Sequence, residues 1–136
     1  MKSVDAMRAV DTNIVVRYLV KDDDAQSALA RDDVVGSGAI FVPLTVVLEC
    51  EWVLRSLYGF SRSAVIAALE AFCGAPGVAV GEAAAVKRAF RLAKQGLDFA
   101  DALHLAQATE CETFVTFDRR LARKAGRLAE TRVRLA

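Results

Sequence analysis

Five short runs that read as strands, each parted from the next by stretches with helical spacing, constrain this chain more than anything else in it. They fall at 7–10, 39–42, 78–80, 113–116 and 131–135. Consecutive runs lie too far apart for tight hairpins, and helices fill the gaps. That alternation predicts an α/β fold with a short, mainly parallel central sheet flanked by helices. A length of 136 residues fits one domain spanning 1–136. Apolar residues make up 54% of the chain, enough for a core and too many for a disordered chain.

The helices are readable in some detail. Ile14, Val15, Tyr18 and Leu19 recur at helical spacing after the first run. Asp24 is a candidate cap for a helix over 25–35, with Leu29 and Val34 inward and Gly36 and Gly38 as its stop. Pro43 suits the first turn of a helix reaching about Leu57, with Val46, Val47, Val53 and Leu54 as its buried stripe. Trp52 reads as core. Ser61 is a plausible N-cap for a helix over 62–73, with Val65, Ile66, Leu69 and Phe72 inward. An Ala-rich helix over 82–95 ends at Gly96, and Phe99, Leu103 and Ala106 mark the next. The run 113–116 reads as a buried strand, followed by a short basic helix over 119–126.

Several function classes drop out. No apolar run approaches the roughly 18 residues of a spanning helix, and the first seven residues lack the apolar stretch of a signal peptide. The three cysteines, Cys50, Cys73 and Cys111, are widely spaced, form no Cys-x-x-Cys, and read as small buried thiols of a reducing cytoplasm. No Gly-x-x-x-x-Gly-Lys loop is present, and with His104 as the only histidine no Ser-His-Asp or Cys-His arrangement competes. The net charge is +1, but residues 113–136 carry seven basic against two acidic residues. Arg119, Arg120, Arg123 and Lys124 among them are candidates for phosphate contacts; a solvated helix face is the plainer reading.

The acids carry the chemistry. Asp11 follows the first run, where Asp11-Thr12-Asn13 is either a helix cap or a group hung from a strand end into the sheet's crevice. Glu49 lies near an apolar stripe, between Val46 and Val53, and Glu51 falls on another side. Asp98 and Asp101 stand three apart on one helix face, and Asp118 comes just after the fourth run. Strand C-termini in a parallel sheet face one way, so these carboxylates are candidates to converge. Two such charges about 4 Å apart repel by roughly 4 kcal/mol at an effective dielectric near 20. A proton or a cation must offset that, and an oxygen-only donor set selects hard ions such as Mg²⁺ or Mn²⁺ over zinc. His104 either packs on its helix or flanks this acidic group.

The segments Val10-Asp11-Thr12-Asn13, 47–54, 98–103 and Thr116-Phe117-Asp118 together resemble the four blocks of PIN-domain nucleases. The branch they are most similar to is the VapC-type toxins of bacterial toxin–antitoxin pairs. The resemblance runs from about Arg8 to Leu135. It implies a Mg²⁺- or Mn²⁺-dependent ribonuclease, a homodimer, and inhibition by a small VapB-type antitoxin. Residue by residue, it implies that Asp11, Asp101 and Asp118 hold metal. Glu49 completes the shell or deprotonates the attacking water. Asn13 and Thr116 support the site, and Asp98 accompanies it. Two other classes share clustered acids, a receiver-like Mg²⁺-binding signalling domain and a haloacid-dehalogenase-like phosphatase. The first wants paired acids after the first strand and the second an acid where Asn13 stands. A catalytically silent PIN-like binding module is a further alternative, against which the intact acids argue.

Overall fold

The computed structural model describes residues 7–21, 24–35, 38–128 and 130–136. The expected turn residues Asp22 and Asp23 and the expected stop at Gly36 lie outside them. Among the described residues are seven helices and five short strands, a mixed α/β chain with parallel pairing throughout. The chain divides into two compact units, residues 1–83 and 84–136. Among the described residues no helix is long and apolar enough to cross a membrane.

The first unit is built on a three-stranded parallel sheet in the order β1 (Arg8–Ala9), β2 (Ile40–Val42), β3 (Val78–Val80). Arg8 pairs with Ile40, and Ile40 with Val78. Ile40 and Val42 are fully buried because β2 has a neighbour on each edge. The close pairing depends on Gly77, whose φ is +82° and where an added Cβ would stand 2.7 Å from the Gly38 carbonyl oxygen. Only glycine fits such a position without strain.

Four helices complete this unit: α1 (Thr12–Val20), α2 (Asp24–Val35), α3 (Leu44–Ser56) and α4 (Arg62–Cys73). Helix α4 starts where Ser61 accepts a bond from the Ala64 N–H, and it buries Val65, Ile66, Leu69 and Phe72, as its spacing predicts. Phe72 meets Tyr18 of α1 with ring centroids 5.7 Å apart. Helix α2 departs from expectation. Leu29 is 64% exposed, and the small residues Ser27 and Ala30 are buried instead. Ser27 Oγ donates to the Arg17 carbonyl oxygen of α1 at 3.1 Å, a contact that suits a short side chain.

Helix α3 corrects two further expectations. Its buried stripe is Val47, Cys50, Glu51 and Leu54, a regular i, i+3, i+4, i+7 pattern that passes through a charge. Glu51 is only 3% exposed and is tied to Arg55 one turn on, at 2.8 Å. Trp52, read as core, is 51% exposed.

The second unit contains α5 (Ala83–Lys94, whose first residue belongs to the first unit), α6 (Phe99–Ala106), β4 (Thr113–Thr116), α7 (Arg119–Leu128) and β5 (Arg132–Leu135). Strands β4 and β5 pair in parallel, Thr113 with Arg132 through Thr116 with Leu135. Strand β4 is half-buried rather than buried, with Val115 exposed. Phe90 of α5 stacks on Phe99 at the start of α6, ring centroids 5.2 Å apart, and both are buried. The C-terminal end of α6 is held by Arg88, which donates to the Ala106 carbonyl oxygen at 3.1 Å.

Candidate functional site

In the first unit, β1 hands over directly to α1, and the residue at the joint is Asp11. Its carboxylate accepts from the Ile14 N–H at 3.2 Å, so it caps α1. Such a cap satisfies one of the helix's orphan N–H groups and favours a negative charge there. Thr12, the first residue of α1, donates from its hydroxyl to Glu49 Oε1 of α3. The sequence gives no hint of that pairing, because 37 positions separate the two residues. Glu49 is exposed, whereas Glu51 is locked into the stripe by Arg55. The apolar-side placement expected of Glu49 thus belongs to Glu51. Asn13 is exposed in the first turn of α1.

Beneath this group lies Cys50, whose Sγ approaches the Thr12 carbonyl oxygen at 3.8 Å. Burial, then Cys73, Glu49 and Asp11, push its thiol up to about 12. It is therefore a protonated, inert core group at neutral pH. Cys73 is pushed up to about 11 by burial. Cys111 is exposed, so the expectation of three buried thiols is met in full only at Cys50.

In the second unit, Asp98 caps α6, its carboxylate accepting from the Asp101 N–H at 3.4 Å. Asp101 itself sits half-buried in the first turn. Burial is the main cause raising its carboxyl above the ordinary value; Asp98 adds to that, His104 pulls the other way, and Asp118 adds again. Asp101 therefore feels both of the other carboxylates. His104 is exposed and lies near Phe114, with ring centroids 6.5 Å apart. Asp118 follows β4 as expected. Its backbone N–H donates to Thr116 Oγ1 at 3.0 Å, and its carboxylate accepts from the Leu121 N–H at 3.0 Å, capping α7. Thr116 thus supports Asp118 directly. Arg119, Arg120, Arg123 and Lys124 are all exposed on α7, and Lys124 Nζ donates to the Gly96 carbonyl oxygen at 3.2 Å.

The sequence-derived acids therefore form two sets, Asp11 with Glu49 and Asp98 with Asp101 and Asp118. Among the described residues, no three or more His, Cys, Asp or Glu side chains are grouped closely enough to hold a metal ion on their own. The donors still suit a hard divalent cation. All are carboxylate oxygens, and the Asp101 carboxyl, raised first by burial and then by Asp98 and Asp118, is one whose charge a cation would stabilise.

Comparison with known proteins adds two findings. A family model for the PIN domain matches residues 8–127, a span that runs through both units. Among solved structures, the chain is similar to one in the crystal structure of VapBC2 from Rickettsia felis bound to a DNA fragment from their promoter. The identity is 16%, 95% of this chain and 98% of that chain are covered, and the TM-score is 0.39. No curated protein matches the chain.

Proposed function

Because this chain belongs to the PIN-domain family, we propose that it is a Mg²⁺- or Mn²⁺-dependent endoribonuclease, the toxin of a VapBC-type pair. The two units are then parts of one PIN domain, since the family match spans both. The observation that carries the reading is where the acids stand. Asp11 and Asp118 each close a strand and cap the helix that follows, Asp98 caps α6, and Glu49 is bonded to Thr12. The three aspartates, anchored to backbone N–H groups in this way, hold their position without further packing. PIN membership also sets aside the receiver-like and dehalogenase-like alternatives.

Asp11, Asp101 and Asp118 are the residues that would hold the ion. When bound, it supplies Lewis acidity, making a water molecule more acidic and polarising a phosphoryl oxygen. Glu49 takes the proton from the attacking water. Thr12 fixes one of its oxygens, so the carboxylate's orientation is set before the substrate arrives. Asp98 orders the first turn of α6 and so positions Asp101. Arg119, Arg120, Arg123 and Lys124 bind RNA phosphates next to Asp118 in the chain. The resemblance to VapC-type toxins adds a homodimer and a VapB-type antitoxin as partners, and an RNA substrate places the work in the cytoplasm.

The test is digestion of total RNA with Mg²⁺, with Mn²⁺ and with chelator, for the unchanged protein and for Asp11→Asn. Asn is as good a helix cap as Asp, so the variant keeps its fold. Cleavage is expected with either ion, and loss is expected in chelator and in the variant. Cleavage in chelator would overturn the metal assignment. No cleavage under any condition would overturn the nuclease.

A further inference from the structure

Phe117 stands between Thr116 and Asp118 and is 88% exposed, the most exposed large hydrophobic residue among those described. A phenylalanine held this far into water gains nothing for the fold, since burial is what makes an aromatic ring stabilising. Its backbone is nevertheless fixed on both sides. Thr116 bonds the Asp118 N–H and, through its carbonyl oxygen, the Ala136 N–H at 2.9 Å; Asp118 caps α7. The ring is thus presented from a rigid turn.

Past the exposed Asp118, the chain that follows it is basic. Arg119 and Arg120 follow at once, and Arg123, Lys124 and Arg127 continue along α7; all five are exposed. Exposed Val115 is paired in register with exposed Arg134 of β5. Neither α7 nor β5 contains an acidic residue. Interface cores between proteins admit arginine and aromatic rings but are depleted of lysine, which α7 also contributes here. A lone aromatic face among cations is instead the make-up of single-strand nucleic-acid binding, where cations track the phosphates and a ring stacks on a base.

We propose that Phe117 is the base-stacking residue of this nuclease, receiving one unpaired base of single-stranded RNA while the arginines of α7 hold the adjoining phosphates. This rests on the ribonuclease reading and deepens it. The ring orders the strand next to Asp118, and because every base has a flat face, it contributes affinity and register rather than sequence choice.

The test uses the whole chain with Asp101→Asn, so that bound RNA stays uncut, and two probes, a short single-stranded oligouridine and an abasic strand of equal length and charge. Adding Phe117→Ala is expected to weaken oligouridine binding by about 5- to 150-fold, the range of one lost base–aromatic stack. Abasic binding should change by less than about twofold and the salt slope should stay constant, because no phosphate contact is removed. Phe117→Tyr should restore oligouridine binding. Arg119→Ala with Arg120→Ala should weaken both probes and flatten the salt slope. Equal loss on both probes, no loss, or a change in oligomeric mass on Phe117→Ala overturns the proposal, the last by showing a protein interface. If the protein with Phe117 intact binds neither probe, the ribonuclease reading falls as well. Binding without discrimination between the probes sinks only the stacking role.

Discussion

Asp101→Asn is expected to lower RNA cleavage by more than about a hundredfold and, in the same molecule, to raise the melting temperature of the metal-free protein at neutral pH. The first effect follows from the proposed role, since an amide is a weaker ligand for a hard cation than a carboxylate. The second follows from the raised carboxyl, with burial as the largest cause and Asp98 and Asp118 adding to it. A folded-state value above the unfolded one means that the native protein holds the proton more tightly. The stability this gives is complete below the unfolded value and is lost as pH rises through the raised folded value. The amide is neutral at every pH and loses nothing. The gap in melting temperature between variant and parent should therefore open as pH rises from the acid range and then level off. Added Mg²⁺ should raise the parent's melting temperature and leave the variant's almost unchanged. The cap is kept, because Asp98 bonds the residue's backbone N–H and not its side chain. Parent-like cleavage by the variant, or an equal Mg²⁺ response in both, would remove Asp101 from the metal set.

Phe90→Ala is expected to cost about 3–5 kcal/mol, the usual range for emptying a buried aromatic position. That is a large part of the roughly 5–15 kcal/mol that holds a domain together. Phe90 is fully buried and stacks on Phe99, the first residue of the helix that carries Asp101. The lost ring removes both transfer energy and the support under that helix. Urea melts should show a lower midpoint, and thermal melts a drop of more than about 10 °C. Phe90→Leu, which refills most of the volume, should recover most of the loss. A midpoint within error of the parent's would mean that the α5–α6 packing contributes little.

How much of this was legible in the sequence varied with the physics of each element. Helix α4 and its four inward residues were read without error, since a serine cap and a clean apolar period both pointed the same way. Strands β3 and β4 were also placed correctly, although β4 is less buried than a run of β-branched residues suggests. Helix α2 was misread at Leu29. Apolar character points to burial, whereas α2 buries Ser27 and Ala30, whose small size permits close contact with α1. Helix α3 differs from its sequence pattern because its buried stripe includes a charge. Glu51 is buried at the position that the i, i+3, i+4, i+7 rule assigns, and Arg55 at i+4 was the sign that it could be. Trp52 was then left with no inward place.

The candidate site shows the same division. The residue types, their order, and their places at strand ends and helix starts were readable, because caps and strand–helix joints are local. Asp11, Asp98 and Asp118 all prove to be caps. The Thr12–Glu49 bond was not readable, since it joins elements far apart in the chain. The exposure of Phe117 was hidden as well; beside a strand rich in apolar residues, an aromatic ring reads as core.

The triple use of aspartate as a cap has a consequence for how such a chain can lose its activity. A mutation to alanine at Asp11, Asp98 or Asp118 strips a helix start of its anchor, so the disabled copy is also weakened, by about 1 kcal/mol at each place. A mutation to asparagine leaves the helix start intact. Drift along that second route yields a sturdy copy, one carboxylate poorer yet still fully folded.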